Sequence, residues 1–181
     1  MKEWSFRQLT REERYFASIL HHEMLNDIEP FSKLLCSILK LKHDAKINDF
    51  GYEVCFFRDW HRKGFIKRRK KLEKQTFDFM FKMSDGSLVI MEAKAQQGFA
   101  NIQLDNLIKA KSIIEKSPKL KEPKVHLAAL CSSKYRMKPQ TRQVFNDAVL
   151  YWDRLADIMG LTDIYPESRD IFKRANEIYG R

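Results

Sequence analysis

The most informative part of the chain is residues 76–94, which read TFDFMFKMSDGSLVIMEAK. Residues 76–83 alternate in polarity, which predicts a β-strand with one face made of Phe77, Phe79 and Phe81. Residues 87–93 are almost continuously apolar, as a central strand buried on both faces would be. Residues 84–86, Ser-Asp-Gly, fit a three-residue hairpin loop whose last position needs the positive φ that glycine tolerates. We therefore predict an antiparallel hairpin.

The register of this hairpin brings charged residues together. With that loop, Met83 pairs with Ser87, and Asp78 lies directly opposite Glu92. Lys94 lies two residues beyond Glu92 and so shares its face of the sheet. Two carboxylates this close would repel each other and be poorly solvated beside an apolar strand unless a cation lay between them.

Mg²⁺ is the cation that best matches these residues. It takes oxygen ligands, is commonly bound by one or two carboxylates and keeps several waters, so Asp78 and Glu92 fit it. Such an ion leaves room for a phosphate oxygen and an attacking water. The Lys94 ammonium fits the tasks of orienting that water and offsetting charge in the transition state. The competing interpretation is a Glu–Lys ion pair at the rim of a sheet, without chemistry.

Two helices and a strand are predicted before the hairpin. Residues 10–25 have a capping box, Thr10 with Glu13, ahead of apolar residues at helical spacing. A second helix is predicted after Pro30. Residues 48–51, Asn-Asp-Phe-Gly, indicate a break, and residues 52–57 predict a short strand.

A helix over about residues 101–116 and an apolar strand over residues 125–131 are predicted after the hairpin. Strand, helix and strand in this order form a crossover unit and imply a parallel pair. The rest is predicted to be helical, first from Thr141 to Met159 and then around residues 171–178. We expect a single α/β domain over residues 1–181, in which helices flank a mixed central sheet. Its core covers about 10–131 and its extra C-terminal helices about 141–180.

Composition restricts the class of protein and its partners. The 34 Lys and Arg exceed the 24 Asp and Glu and give a net charge of +10, which favours nucleic acid or an anionic membrane surface as a partner. No apolar run approaches the ~20 residues of a membrane span, and the first twenty residues are charged where a signal peptide would be apolar. We therefore expect a cytoplasmic protein without a membrane partner. The three cysteines lack zinc-ligand spacing and are expected to be reduced, mostly buried thiols.

A basic stretch lies just before the hairpin. Nine of the seventeen residues in 58–74 are Lys or Arg, and we predict a loop or the flank of the hairpin. Within it Lys67, Arg68, Arg69 and Lys70 are the candidates for binding nucleic-acid phosphates. Trp60, His61 and Phe65 are interleaved and offer stacking on unpaired bases. A solvated loop is the alternative, and a membrane-binding role is weaker because the stretch lacks an apolar face.

The order of these residues resembles a known family. Phe77-Asp78, followed after thirteen residues by Glu92-Ala93-Lys94, is similar to the signature of the PD-(D/E)XK nuclease superfamily, although Phe77 replaces the proline of its name. The resemblance covers roughly residues 10–131. It implies a restriction-endonuclease-like αβββαβ core, bound Mg²⁺ with Mn²⁺ as a substitute, and cleavage of phosphodiester bonds.

The resemblance also implies further site residues. Members of the superfamily often add a glutamate from the first core helix. Here Glu13 and Glu23 compete for that role, with Glu53 as a third option, and we prefer Glu13 as a ligand beside Asp78 and Glu92. The capping box is the alternative role of Glu13. Gln103 resembles a polar residue that some branches place beside the Glu-x-Lys, and a hydrogen-bonding role at the start of its helix is equally consistent.

The leading hypothesis is a Mg²⁺-dependent endonuclease that hydrolyses DNA by attack of a metal-activated water, with Asp78, Glu92 and Lys94 as catalytic residues. The alternatives are an inactive nucleic-acid-binding or scaffold module on the same fold, and an RNA-directed nuclease. A homodimer, or a place in a larger nucleic-acid-processing complex, is a reasonable expectation because cutting both strands usually needs two sites. Trp152, Leu155 and Phe172 are the candidates for its interface.

Overall fold

The structure is a computed structural model that describes residues 13–67, 75–146, 148–159 and 168–180. These residues form an α/β fold with a five-stranded mixed sheet and helices on both faces. The strands are β1 (Ile47–Val54), β2 (Phe77–Met83), β3 (Leu88–Ala93), β4 (Val125–Cys131) and β5 (Val149–Tyr151). The described α-helices are α1 (Glu13–Asn26), α2 (Glu29–Ile38), α3 (Phe56–Arg62), α4 (Asn101–Glu115), α5 (Pro139–Val144), α6 (Trp152–Met159) and α7 (Ser168–Glu177). A 3₁₀ turn, Pro118–Leu120, follows α4.

The strands lie in the order β1-β2-β3-β4-β5. β2 is antiparallel to both of its neighbours, whereas β3, β4 and β5 are parallel to one another. The predicted hairpin register is confirmed, because Phe79 lies opposite Met91 and the Met83 N–H donates to the Ser87 carbonyl at 2.9 Å. Gly86 has a φ of +84°, as the loop requires. The predicted parallel crossover through α4 is also confirmed.

Helices cover the two faces of the sheet as separate layers. On one face α1, α2, α6 and α7 pack on a core that includes Phe16, Phe31, Phe79, Trp152 and Phe172. On the other face α3, α4 and α5 pack on a core that includes Phe57, Ile90, Leu107, Leu127 and Phe145. Each face of the sheet is thus buried, which explains why β3 and β4 read as continuous apolar runs.

The predicted start of the first strand is wrong. β1 begins at Ile47 and runs through residues 48–51, where a break was expected. Pairing of Gly51 with Met80 across the sheet outweighs the local turn preference. Phe56 and Phe57 belong to α3, so residues 58–62 of the basic stretch are helical instead of forming a loop.

Phe77 is also placed differently from the prediction of one phenylalanine face. Its ring lies 6.4 Å from that of Phe56 and 6.2 Å from that of Phe57, while Phe79 and Phe81 belong to the core on the opposite face. Contact with the aromatic residues of α3 at the beginning of β2 explains the change of side.

The expectation that everything after β4 is helical is wrong as well. Residues 149–151 form β5, which pairs in parallel with β4 and separates α5 from α6. Trp152, Leu155 and Phe172 are fully buried in the chain's own core, so they are not available as a dimer interface. The last helix, α7, is confirmed.

Three further features concern the cysteines, the first helix and the character of the helices. Cys36, Cys55 and Cys131 are free thiols, and Cys36 and Cys131 are buried, as predicted. Helix α1 is present, although Thr10 of the proposed capping box lies outside the described residues. Among the helices described, none has the length and apolar character to cross a membrane.

Candidate active site

The two carboxylates meet at the end of the hairpin away from its loop. Asp78 is the second residue of β2 and Glu92 the second-last residue of β3, one position beyond the paired residues Phe79 and Met91, so the register brings them to the same place. The Ala93 N–H donates to Asp78 Oδ2 at 2.8 Å, and the two carboxyl groups lie close enough for each to shift the pKa of the other. The juxtaposition that the sequence predicts is therefore present in the structure.

Burial makes full ionisation of this pair unfavourable. Glu92 is 6 % exposed, and burial followed by the charge of Asp78 raises its pKa to about 8. Burial also raises the pKa of Asp78, although the Ala93 N–H and Lys94 oppose that shift. Both shifts favour the protonated form of the pair, and a cation bound between the two groups would offset that preference.

Lys94 lies against the same pair. Its Nζ donates to Glu13 Oε1 at 2.7 Å, to Glu92 Oε1 at 3.2 Å and to the Ala93 carbonyl at 2.9 Å. Burial alone would lower the pKa of Lys94, but the Glu92 and Glu13 carboxylates outweigh it and the pKa is raised. The ammonium is therefore held charged, with three acceptors for its three protons.

Among the three candidate glutamates, the structure brings Glu13 of α1 to the cluster. Its second carboxylate oxygen accepts a hydrogen bond from the Ala95 N–H at 3.3 Å, and burial raises its pKa against the opposing effect of Lys94. Glu23 is buried elsewhere on α1, where it accepts a hydrogen bond from Ser168. Glu53 lies near the end of β1, not at the start predicted for it, and pairs with Arg14 at 3.3 Å.

Two further side chains fix the cluster from the surrounding helices. Gln103, in the first turn of α4, donates its Nε2 hydrogen to Glu92 Oε1 and so lies beside the first residue of the Glu-x-Lys. The Trp152 indole N–H donates to the Lys94 carbonyl at 2.9 Å. Sequence reasoning missed this second contact, since nothing in the sequence pattern shows that α6 begins beside the end of β3.

The basic stretch is described only in part. Lys67 is exposed, whereas Arg68, Arg69 and Lys70 lie outside the described residues. Trp60 stacks on Phe56 with ring centroids 4.6 Å apart and lies 5.2 Å from Phe65, so its ring is engaged in packing. Phe65, which was also proposed to stack on bases, has 44 % of its surface exposed.

The chemistry of the donors fits a hard divalent cation at Asp78 and Glu92. Two neighbouring carboxylates match the one or two acidic ligands that Mg²⁺ commonly takes, with waters completing its shell. Over the described ranges, no group of three or more His, Cys, Asp or Glu is arranged as a ligand set. The third carboxylate, Glu13, is engaged with Lys94 instead.

A separate cavity of about 970 Å³ lies toward the loop end of the hairpin, and its lining includes Trp60, Lys82, Asp85 and Lys124. None of the residues of the carboxylate cluster lines it. This cavity and the reactive side chains therefore lie at different ends of β2 and β3, and we place the candidate site at the charged end.

Comparison of the chain with protein-family models, with curated proteins and with solved structures gave no match. The residues and their geometry are therefore the basis of the functional proposal.

Proposed function

We propose that the chain is a divalent-metal-dependent nuclease that hydrolyses phosphodiester bonds of DNA, with Asp78, Glu92 and Lys94 as its catalytic residues. The observation that carries this proposal is that Asp78, which accepts from the Ala93 N–H, and Glu92, which accepts from the Lys94 ammonium, lie together at the end of the hairpin. A buried glutamate beside a half-buried aspartate and lysine at the end of an apolar strand is costly for stability, which favours a functional reason for their presence.

Asp78 and Glu92 would hold the cation. A Mg²⁺ ion there supplies Lewis-acid polarisation of a phosphoryl oxygen and lowers the pKa of water. Gln103 fixes the orientation of the Glu92 carboxylate by donating to Oε1, and the Ala93 N–H fixes Asp78 in the same way. These contacts hold both carboxyl groups in place before substrate arrives.

Lys94 would act on the phosphate and the attacking water. Its raised pKa keeps the ammonium charged, so it can offset the negative charge that develops on the phosphoryl oxygens. To reach a phosphate, Nζ must exchange one of its three present acceptors for a substrate oxygen. Glu13 then acts as a positioning residue, since its carboxylate orients the ammonium from α1.

The fold order supports the same proposal. Apart from the short helix α3 between β1 and β2, the order from α1 or α2 through β4 is helix, three strands, helix and strand, the core order that the resemblance to the PD-(D/E)XK superfamily implies. A restriction-endonuclease-like fold is therefore part of the proposal. The net charge of +10 is consistent with a polyanionic substrate.

A structural ion-pair cluster on a nucleic-acid-binding module is the second candidate. It is favoured by the fact that the three protons of Lys94 all have acceptors within the protein. The two candidates differ in whether the protein cuts its ligand.

The test is incubation of the purified full chain with supercoiled plasmid and with single-stranded RNA, in Mg²⁺ and in EDTA. The proposal predicts Mg²⁺-dependent nicking or linearisation of the plasmid. Binding of the plasmid without any cleavage in Mg²⁺ or Mn²⁺ would favour the inactive module. Cleavage of RNA alone would make RNA the substrate.

A further inference from the structure

A second basic region lies after β4, in residues 132–138, which we name the β4–α5 segment. Lys134, Arg136 and Lys138 are exposed, while the intervening Tyr135 and Met137 are half-buried against the core. The chain contains no Asp or Glu between Glu122 and Asp147. Three cations therefore point outward from a stretch without acidic neighbours in sequence.

The segment starts beside the candidate active site. β3 and β4 are parallel neighbours, with Ala93 opposite Leu130, so their carboxyl ends emerge at one edge of the sheet. The Lys94 N–H donates to the Leu130 carbonyl at 2.7 Å. The chain enters the β4–α5 segment two residues after Leu130, at the edge where Lys94 and Glu92 lie.

Hydrogen bonds from two helices hold the beginning of this segment. The Ser133 N–H donates to Asn176 Oδ1 of α7 at 2.6 Å, and the Ser133 hydroxyl donates to Asp153 Oδ2 of α6 at 2.7 Å. Ser132 donates its hydroxyl hydrogen to the Asn176 carbonyl. The first residues of the segment are thus tied to the same helical layer that contacts Lys94.

Tyr135 connects the segment to the loop that follows Lys94. Its ring lies 5.9 Å from that of Phe99 and 5.3 Å from that of Tyr179. Gly98 lies so close that a Cβ atom there would be 2.6 Å from the Tyr135 ring. This packing leaves no room for a side chain at position 98. It also fixes the β4–α5 segment against the loop that follows Lys94.

We propose that Lys134, Arg136 and Lys138 bind the phosphate backbone of the DNA substrate and hold it at the edge of the sheet where Lys94 lies. This inference rests on the proposed nuclease function. Exposed cations on a segment anchored in advance lose little conformational freedom when they bind, so they contribute more affinity than the same charges on a mobile loop. Contacts of this kind neutralise phosphates and release counterions without reading sequence.

Binding is tested with the full chain in EDTA, where the proposed chemistry is stopped. The variant Lys134→Ala/Arg136→Ala/Lys138→Ala is compared with Lys40→Ala/Lys42→Ala/Lys46→Ala, which removes three exposed lysines at the opposite end of the sheet. The two variants carry the same net charge, so any difference between them reports position. Affinity for a duplex oligonucleotide is measured by fluorescence anisotropy over a range of salt concentrations.

We expect the β4–α5 variant to bind at least about tenfold more weakly than wild type at 0.1 M salt, with a salt slope lower by about 0.9 per lost phosphate contact, about 2.7 for three. The control variant should stay within about threefold. Equal losses in both variants, or unchanged binding in the first, would overturn the inference. The variant Lys134→Gln/Arg136→Gln/Lys138→Gln repeats the test if the alanine variant unfolds.

Cleavage by the wild-type protein in Mg²⁺ is scored separately. If wild type cleaves DNA and the β4–α5 variant binds like wild type, this inference fails and the nuclease function stands. If wild type binds through these residues but never cleaves, the binding surface is supported and the nuclease function fails.

Discussion

Lys94 Nζ lies 2.7 Å from Glu13 Oε1, which joins the first described helix to the end of a central strand across 81 positions of sequence. The same ammonium contacts Glu92, so one cation connects a carboxylate from the helical layer to a carboxylate in the sheet. This contact determines how each residue of the cluster should respond to substitution.

Lys94→Met should abolish most cleavage while DNA affinity persists, because the ammonium is proposed to act on the transition state. A loss of ~10²-fold or more in the single-turnover rate is expected. Lys94→Arg should not restore the rate fully, since the planar guanidinium differs in shape and does not release its proton. Lys82→Met, an exposed lysine on β2, is the matched control and should leave the rate unchanged. Wild-type cleavage by Lys94→Met would make the lysine structural.

Glu13→Gln separates positioning from metal binding. If Glu13 orients Lys94, this variant should keep its Mn²⁺ affinity within about threefold, whereas Asp78→Asn should lose most of it. Cleavage by Glu13→Gln should fall less than in Lys94→Met, since a glutamine oxygen can still accept from the ammonium. Isothermal titration with Mn²⁺ measures the affinities. Equal loss of Mn²⁺ binding in both variants would identify Glu13 as a ligand.

The buried carboxyl pair predicts a pH dependence of stability in EDTA. Burial and Asp78 raise the pKa of Glu92 from 4.5 to about 8, so the folded state binds more protons than the unfolded state between these values. The free energy of unfolding contributed by Glu92 is therefore fully present below about pH 4.5 and is lost as the pH rises toward 8. The raised pKa values of Asp78 and Glu13 act in the same direction from their ordinary values upward, whereas the raised pKa of Lys94 affects stability only above its ordinary value of 10.5.

Glu92→Gln should flatten this decline in urea unfolding between pH 5 and 8, because it removes the titrating group and keeps an acceptor for Lys94 and Gln103. Glu29→Gln, at an exposed carboxylate on α2, is the control and should follow wild type. If wild type and Glu92→Gln lose stability in parallel over that range, Glu92 is already ionised in the folded protein.

Gly98→Ala should destabilise the protein by about 1–3 kcal/mol, since its Cβ would overlap the Tyr135 ring in a packed site. The double variant Gly98→Ala/Tyr135→Leu removes the overlapping ring and should be closer in stability to Tyr135→Leu alone. Thermal unfolding of the four proteins gives the coupling. Additive effects of the two substitutions would show that the contact is not tight.

The hairpin could be predicted from the sequence because its information is local. The loop of residues 84–86 and the apolar run after it set the register, and the register sets Asp78 opposite Glu92. Glu13 could be proposed only through a resemblance, because its contact with Lys94 depends on how α1 packs on the sheet.

Other features depend on tertiary contacts that a local pattern does not contain. β5 is three residues long and lies among apolar residues at helical spacing, so only its pairing with β4 shows that it is a strand. Trp152 fits an apolar helical position whether residues 149–151 are taken as helix or as strand. Its burial and its hydrogen bond to the Lys94 carbonyl follow from the docking of α6. The β4–α5 segment had a sequence signal, its lack of acidic residues, but its position beside Lys94 needs the parallel pairing of β3 and β4.

The most direct measurement of the central claim is the single-turnover rate of DNA cleavage in Mg²⁺ by Asp78→Asn, set against Asp49→Asn, which changes an exposed aspartate on the neighbouring strand β1. If Asp78 and Glu92 together hold the ion, Asp78→Asn should cut at least about 10²-fold more slowly than wild type while Asp49→Asn cuts at the wild-type rate. Metal-dependent cleavage by Asp78→Asn at the rate of Asp49→Asn would contradict the account, because the carboxyl pair would then have no part in the reaction.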